Sequence, residues 1–589
     1  VTTFSVWAPG AATVEIDLPT RSPARRGMER AEGGWWRLEV PDAGHGDDYA
    51  YVVDGSDPTP DPRSRWQPEG VHGPSRWYDH SAYAWRSTGW RGVALPGAVL
   101  YEMHVGTFTA GGTFDAAVER LDHLVDLGVD AVEVMPVAAF PGRHGWGYDG
   151  VHLWAVHEPY GGPDAFKRFV DECHLRGLGV VLDVVYNHLG PSGNYLPRFG
   201  PYFTDKHHTP WGSAVNLDDE GSDEVRRWIV ENALSWFRDY HVDGLRLDAV
   251  HALVDERAVH VLEELSSDVD ALAAALDRPL FLVAESDLND AAMVTPREAG
   301  GLGVHAQWLD DYHHALHTLL TGERQGYYDD FGSIALLAQC LERVFRHDGA
   351  YSTFRGRVHG RPVDTTRTQA WRFVTYLQDH DQIGNRAVGD RIGATLGTDL
   401  LKVGAALVLT APFTPMLFMG EEWAASTPWQ YFTDHQEPEL AEAVRQGRRR
   451  EFASHGWAEE DVPDPQDPAT VERSRLDWSE AGTGEHAEVL QWHRALIRLR
   501  RATPDLTDPR LTRTSVAFDE EARWLVVRRG ATQVAVNLGE DEQDVPLGLV
   551  PGPVLLASAP VARESAHAVR LAPRSVAVLG AAPPRWVPA

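Results

Sequence analysis

The stretch VDGLRLDAVHAL, residues 242–253, places Arg246 and Asp248 two positions apart in an otherwise apolar, strand-like run. Side chains alternate along a strand, so these two charges share a face while Leu245 and Leu247 point the other way. An unpaired charge in a core is strongly unfavourable, so the face that carries them must supply partners. Taken alone, such an R-x-D reads as a structural ion pair. The run is one of eight. VLYEMHV (99–105), AVEVMPV (131–137) and GVVLDVVYNH (179–188) precede it, and LFLVAES (280–286), VHAQW (304–308), FVTYLQDHD (373–381) and TPMLFMG (414–420) follow. Amphipathic helical segments at 114–127, 164–176 and 223–240 lie between the earlier ones. Eight alternating strand and helix units predict a (β/α)8 TIM barrel at the centre of a multidomain α/β protein.

The flanks have a different grammar. FSVWAP, TVEIDL, WWRLEV and YAYVVDG, broken by Pro, Gly and Asp, predict an N-terminal immunoglobulin-like β-sandwich over residues 1–92. The barrel is expected over 93–509, with a short Gly-, Pro- and aromatic-rich loop insertion at about 188–216. A last helix at 486–501 precedes SVAFD, RWLVVRRG, TQVAVNLG and SVAVLGA, which predict a C-terminal antiparallel β-sandwich over 510–589. WAEEDVPDPQDPAT at 457–470 reads as an exposed loop, and internal repeats are absent.

Composition narrows the function. The 54 basic against 86 acidic side chains leave a formal net charge of −32, which argues against nucleic acid and anionic membranes as partners but not against a neutral sugar. Twenty-one tryptophans offer flat apolar faces that suit sugar rings, although Trp also fills cores. The only two cysteines, Cys173 and Cys340, form no paired spacing, so neither a disulfide framework nor a zinc site is indicated. The start VTTFSVWAPG lacks the features of a signal peptide, and no apolar run is long enough to span a bilayer. Cytoplasm is the expected compartment.

In barrel enzymes the chemistry sits at the C-terminal strand ends. Here the third strand ends in Asn187 and His188, with Asp183 earlier in it, and the fourth in Arg246 and Asp248 followed by His251. The fifth ends in Glu285, after five nonpolar residues, and the seventh in Asp379, His380 and Asp381. Charges at several strand ends on one rim point to a site rather than to isolated pairs.

DVVYNH, GLRLDAVH, AES and QDHD, in that order and spacing, resemble the signature regions of the α-amylase superfamily of glycoside hydrolases. The resemblance implies Asp248 as nucleophile, Glu285 as general acid/base and Asp381 as transition-state stabiliser. Retaining glycosidases need one ionised and one protonated carboxyl about 5–5.5 Å apart. Arg246, on the face of Asp248, would favour that residue's anion, while the apolar approach to Glu285 would raise its pKa. Asp381 would face the oxocarbenium-like sugar. His188 and His380 are placed to bind hydroxyls of the same ring.

GWGYDG (145–150) matches a dinucleotide fingerprint, but VHLWAVHEPYGG follows where a helix would have to begin, so a nucleotide site is rejected. By the resemblance this segment supplies Tyr148, stacked on the ring undergoing cleavage. Asp149 beside it is assigned to substrate binding, against the alternative of a structural turn. His313 and His317, four apart, lack the glutamate of a H-E-x-x-H motif and read as a surface or substrate-edge helix. Asn187 stands where many amylases bind calcium, but the remaining ligands cannot be matched. No metal and no cofactor are expected.

The longer strings YEMHVGTFT, LGVDAVEVMPVAAFPGRHGWGYDGV, VVLDVVYNHLGPSGNYLPRFGPYF, LVAESDLND and QDHDQIGNRA are similar to the maltooligosyltrehalose trehalohydrolase family. That resemblance implies hydrolysis of the α-1,4 bond next to the trehalose end of maltooligosyltrehalose, with related α-1,4-glucans as ligands. A monomer is expected. The nearest competitor is the glycogen branching enzyme, which typically has an acidic residue where Gln382 stands here. A non-catalytic glycan-binding scaffold is the remaining alternative, and such relatives usually lose a carboxylate that this chain keeps. Arg386 and Asp390 read equally as sugar ligands or as an ion pair.

Overall fold

A computed structural model of the chain describes residues 1–453 and 461–581. Eight parallel strands close into a barrel: β1 (Leu100–Met103), β2 (Ala131–Val134), β3 (Gly179–Val184), β4 (Gly244–Leu247), β5 (Phe281–Ala284), β6 (Ala306–Trp308), β7 (Phe373–Thr375) and β8 (Thr414–Phe418). These are the eight strands expected from the sequence. Leu100, Ala131, Val181, Val283, Val374 and Met416 fill the barrel interior. The register sets Asp183 opposite Arg246 and Glu102 opposite Glu133, so paired residues project to one side of the sheet.

The surrounding helices follow their sequence periodicity. Ser222–Asp239 buries Val225, Trp228, Ile229, Asn232 and Trp236, a stripe at helical spacing, with Asp223 and Glu224 in the first turn and Arg238 in the last. Gly221 permits its abrupt start, at φ 80°.

Ahead of the barrel, a three-stranded and a four-stranded sheet share a core of Phe4, Val6, Val14, Ile16, Trp36, Val40, Tyr49 and Tyr51. Aromatic edges seat this unit on the segment after β3. The Trp7 and Tyr202 rings lie 5.4 Å apart at 80°, and those of Tyr51 and Phe199 lie 6.3 Å apart at 83°. Trp90 Nε1 donates to Asp243 Oδ1 at 2.7 Å, tying the connecting segment to the base of β4. After the barrel, five- and three-stranded antiparallel sheets enclose Val526, Ala535, Val545, Val569, Ala577 and Leu579.

Three expectations are corrected. The 188–216 segment is not all loop: Phe203–Thr209 pairs with Gly212–Val215 as a hairpin, turning at Pro210 and Trp211. Its outer face is polar, which hid the strand pattern. The 457–470 patch falls partly outside the described residues. From 461 onward it buries Val462, Pro465 and Thr470, and Asp467 caps a short helix, Pro468–Arg473. The helix carrying His313 and His317, Asp310–Thr321, is buried almost throughout rather than lying at the surface. His313 Nδ1 meets the Leu377 carbonyl at 2.9 Å and Nε2 the Tyr328 hydroxyl at 3.0 Å, so its ring is a satisfied core group.

Candidate active site

A cavity of about 580 Å³ opens at the C-terminal ends of the barrel strands, and Asp248, Glu285, Asp381, Tyr148, Asp149, His188 and His380 all line it. Such a volume is in the range of a pocket for a small ligand.

Arg246 organises the floor. Its side chain is wholly buried, and Nη1 donates to Asp183 Oδ2 at 2.8 Å and to Asp248 Oδ1 at 2.9 Å. Nη2 stands 2.8 Å from Glu285 Oε2, close enough for an ion pair although no N–H is aimed along that line. Sequence reasoning gave the guanidinium to Asp248 alone and an apolar surround to Glu285, but the guanidinium is shared among three acids, Glu285 included. Strand geometry is the cause. β5 sets Val283 beside Arg246, so Glu285, two residues further on, projects over the same guanidinium.

The two acids are fixed from other sides. Asn187 Nδ2 donates to Asp248 Oδ2 at 2.7 Å and to the Asp248 carbonyl at 2.9 Å, so both carboxylate oxygens of Asp248 have a donor. Ala249 takes up a left-handed conformation, at φ 39°, and its N–H donates to Glu285 Oε2 at 2.8 Å. A non-glycine residue in that region costs about 1–3 kcal/mol. The bend turns the backbone donor toward the acid.

Asp381 enters on a short helix, His380–Gly384, which Asp379 caps by accepting the Gln382 N–H at 2.7 Å. Its side chain is 37% exposed and faces the cleft. His380 is buried, with Nδ1 2.5 Å from Glu102 Oε1 and Nε2 2.8 Å from the Tyr148 hydroxyl. Tyr148 in turn donates to Asp183 Oδ2 at 2.7 Å, and its ring stacks on His380 at 5.2 Å. Burial raises the Asp183 pKa to about 7, with Arg246 opposing and Asp248 reinforcing the shift.

Both His188 ring nitrogens are engaged by protein oxygens, Nδ1 by Asn187 Oδ1 at 2.6 Å and Nε2 by the Tyr148 carbonyl at 2.9 Å. Its face stacks on Trp211, centroids 4.4 Å apart and planes 4° from parallel. Trp211, at the hairpin turn, is 50% exposed and is the one exposed tryptophan among the described residues. Asp149 opens to the cleft and lies 3.8 Å from His435 Nε2. Gly147, at φ 104°, is obligatory in this loop, because a Cβ there would stand 2.2 Å from the Pro136 carbonyl.

Sequence reasoning named the three acids, Arg246, Tyr148, Asp149 and both histidines, and all of them meet at this cleft. It missed Glu102 and Trp211, and it weighed Asn187 only as a metal ligand. Glu102 sits inside a strand, and Trp211 was masked by the loop reading. Arg386 is spoken for by Glu323, at 2.9 Å to each oxygen, and by Asp390 at 2.9 Å. Gln382 accepts from Tyr327 at 3.1 Å and from Tyr328 at 3.3 Å. His207, Asp218 and Glu256 converge elsewhere with ligand atoms within 4.8 Å, but Lys206 Nζ stands 3.1 Å from Asp218 and 3.0 Å from Glu256, where a cation would bind.

Comparison with known proteins agrees with this layout. Residues 1–67 match carbohydrate-binding module 48 (isoamylase N-terminal domain), 74–206 the alpha amylase catalytic domain and 509–578 a domain of unknown function, DUF3459. The chain is 52% identical over 582 residues to the malto-oligosyltrehalose trehalohydrolase of Rhizobium sp. (strain M-11), covering 98% of this chain and 97% of that one. It is 56% identical to the protein of that name from Arthrobacter ramosus, covering 92% and 94%. A crystal structure from Salmonella typhimurium superposes with TM-score 0.89 at 40% identity, covering 98% and 97%.

Proposed function

The chain belongs to the malto-oligosyltrehalose trehalohydrolases of the α-amylase superfamily, and on that premise we propose how its acids divide the reaction. The enzyme hydrolyses the α-1,4-glucosidic bond next to the trehalose end of a maltooligosyltrehalose and releases trehalose. Asp248 attacks the anomeric carbon while Glu285 protonates the departing trehalose oxygen, leaving a glucan ester on Asp248. Glu285, now a carboxylate, takes a proton from water, whose oxygen then displaces Asp248 and restores both residues. Asp381 faces the positive charge that develops on the ring.

The observation that carries these roles is that one guanidinium, Arg246, touches both Asp248 and Glu285 at the floor of a single cavity that Asp381 also lines. Asn187 and Arg246 hold the Asp248 oxygens before substrate arrives, which lowers the reorganisation needed at the transition state. Tyr148, His188, His380 and Asp149 line the pocket that takes the reacting glucose. The two-carboxyl chemistry calls for no cofactor.

A monomer is the proposed working unit. Cys173 and Cys340 are buried free thiols, which supports a reducing compartment and hence the cytoplasm.

The test incubates the protein with maltotriosyltrehalose and separately with amylose, and identifies the products. Trehalose and maltotriose are expected from the first, and new α-1,6 branches in the second would overturn the reading. Asp248→Asn and Glu285→Gln are each expected to abolish turnover while circular dichroism stays unchanged. Near-normal trehalose release by either would remove that residue from its role.

A further inference from the structure

The Tyr148 hydroxyl has one proton and two neighbours that want it, Asp183 Oδ2 at 2.7 Å and His380 Nε2 at 2.8 Å. Asp183 Oδ2 also receives Arg246 Nη1 at 2.8 Å, whereas Asp183 Oδ1 has no partner. If Asp183 takes up a proton, Oδ1 is where it has room. In either state Oδ2 remains an acceptor, and the phenol proton goes to it. The Tyr148 oxygen can then only accept from His380, so Nε2 must carry a hydrogen of its own. On the other side of the ring, Nδ1 meets Glu102 Oε1 at 2.5 Å, and the His380 backbone N–H donates to Glu102 Oε2 at 3.1 Å. Glu102 thus meets His380 through both carboxyl oxygens, and with Glu102 ionised both ring nitrogens of His380 are donors.

The surroundings of His380 agree. Glu102 and His104 face it from β1 and the turn after it, Glu133 from β2, Tyr148 and Trp146 from the following loop, and Asp183 from β3. Trp308 faces it from β6. Asp379 and Asp381 flank it in sequence, and Trp429 Nε1 donates to its carbonyl at 3.1 Å. Burial by itself would depress its pKa, but Glu102, Asp381 and Asp379 outweigh that and raise it well above the ordinary imidazole range. Glu133 does not compete as a counter-ion. Neither of its oxygens has a partner, and burial, with Glu102 and Asp183 nearby, holds its carboxyl in the neutral form.

We propose that Glu102 is a positioning residue that keeps His380 as an imidazolium, so that Nε2–H donates at the cleft floor, locks the Tyr148 hydroxyl onto Asp183 and sets a positive charge 3.6 Å from Asp381 Oδ1. Glu102 touches no substrate and acts only through His380. The inference deepens the reading of this site and rests on it for the place of His380 beside the reacting ring.

The test replaces Glu102 by Gln in the full chain and follows kcat/KM for maltotriosyltrehalose against pH. With its carboxylate partner removed, His380 loses its second proton nearer the ordinary histidine pKa of about 6.5. The variant gains a descending limb above that value, of up to about tenfold per pH unit, and recovers toward the unmodified enzyme below it. The double variant Glu102→Gln/His380→Asn loses that limb. A Glu102→Gln profile that runs parallel to the unmodified one at all pH values would overturn the proposal. Should Glu102→Gln fail to fold, ¹⁵N NMR of histidine-labelled native protein decides, with His380 assigned through His380→Asn. Two protonated ring nitrogens at pH 7 support the proposal, and one unprotonated nitrogen ends it. That measurement involves no substrate, so it stands or falls separately from the catalytic reading.

Discussion

Asn187 Nδ2 donates to Asp248 Oδ2 at 2.7 Å, on the opposite oxygen from the one that Arg246 holds at 2.9 Å. The Asp248 carboxylate is thus clamped by a neutral donor and a charged one. Asn187→Ala removes the neutral donor and leaves the charge balance intact. A hydrogen bond to a charged group is worth about 1.5–3 kcal/mol, so kcat is expected to fall about ten- to a hundredfold. KM should change little, and steady-state kinetics separate the two.

Trp211 holds its ring against His188 at the lip of the cleft and leaves half its surface open. Trp211→Ala is expected to weaken glucan binding by about 0.5–1.5 kcal/mol. Calorimetric titration of an inactive Glu285→Gln background with maltooligosaccharide should show this, with the melting temperature almost unmoved. Unchanged affinity would take the ring out of the binding surface.

Asp243 gathers Trp90 Nε1 at 2.7 Å, His174 Nε2 at 2.9 Å, the Val180 N–H at 2.9 Å and Arg278 Nη1 at 3.0 Å, all within the fold and away from the cleft. Asp243→Ala removes the ion-pair partner of the largely buried Arg278 and the acceptor of the Trp90 and Val180 N–H groups, which costs about 3–5 kcal/mol. Denaturant unfolding measures the loss, and kcat of the folded fraction should be preserved.

Glu421 is buried behind β8, and burial raises its pKa to about 8, with the Phe418 N–H and Arg391 opposing and Glu422 adding. The folded state therefore holds this proton more tightly than the unfolded chain, where glutamate titrates near 4.3. Its contribution to stability is complete below that value and is lost as pH rises toward 8. Glu421→Gln, which mimics the neutral acid, should leave the melting temperature less dependent on pH between about 5 and 8. A slope identical to that of the unmodified protein would contradict this.

The barrel was legible in the sequence because eight largely apolar runs alternate with amphipathic helical segments, and several of them end in a residue a core would reject, as LFLVA does at Glu285. The three acids were legible for the same reason. Glu102 was not, because a strand acid facing the barrel interior shows its purpose only once His380 is brought to it from a segment nearly three hundred residues away. The bond from Asn187 to Asp248 escaped notice for a related reason, since an amide can serve a cation or a carboxylate and only the position of Asp248 decides. In the C-terminal unit, Gln543–Pro546 and Val561–Ser565 escaped notice because their exposed, charged faces break the alternation that betrayed their neighbours.

The aromatic edges by which Trp7 and Tyr51 press on Tyr202 and Phe199 have a mechanical meaning, because that same segment leads into the hairpin that carries Trp211. The leading module is a buttress for the lip of the binding groove as well as a separate sandwich. Grafting a foreign module in its place would reshape how the enzyme grips a glucan, even with every acid on the barrel untouched.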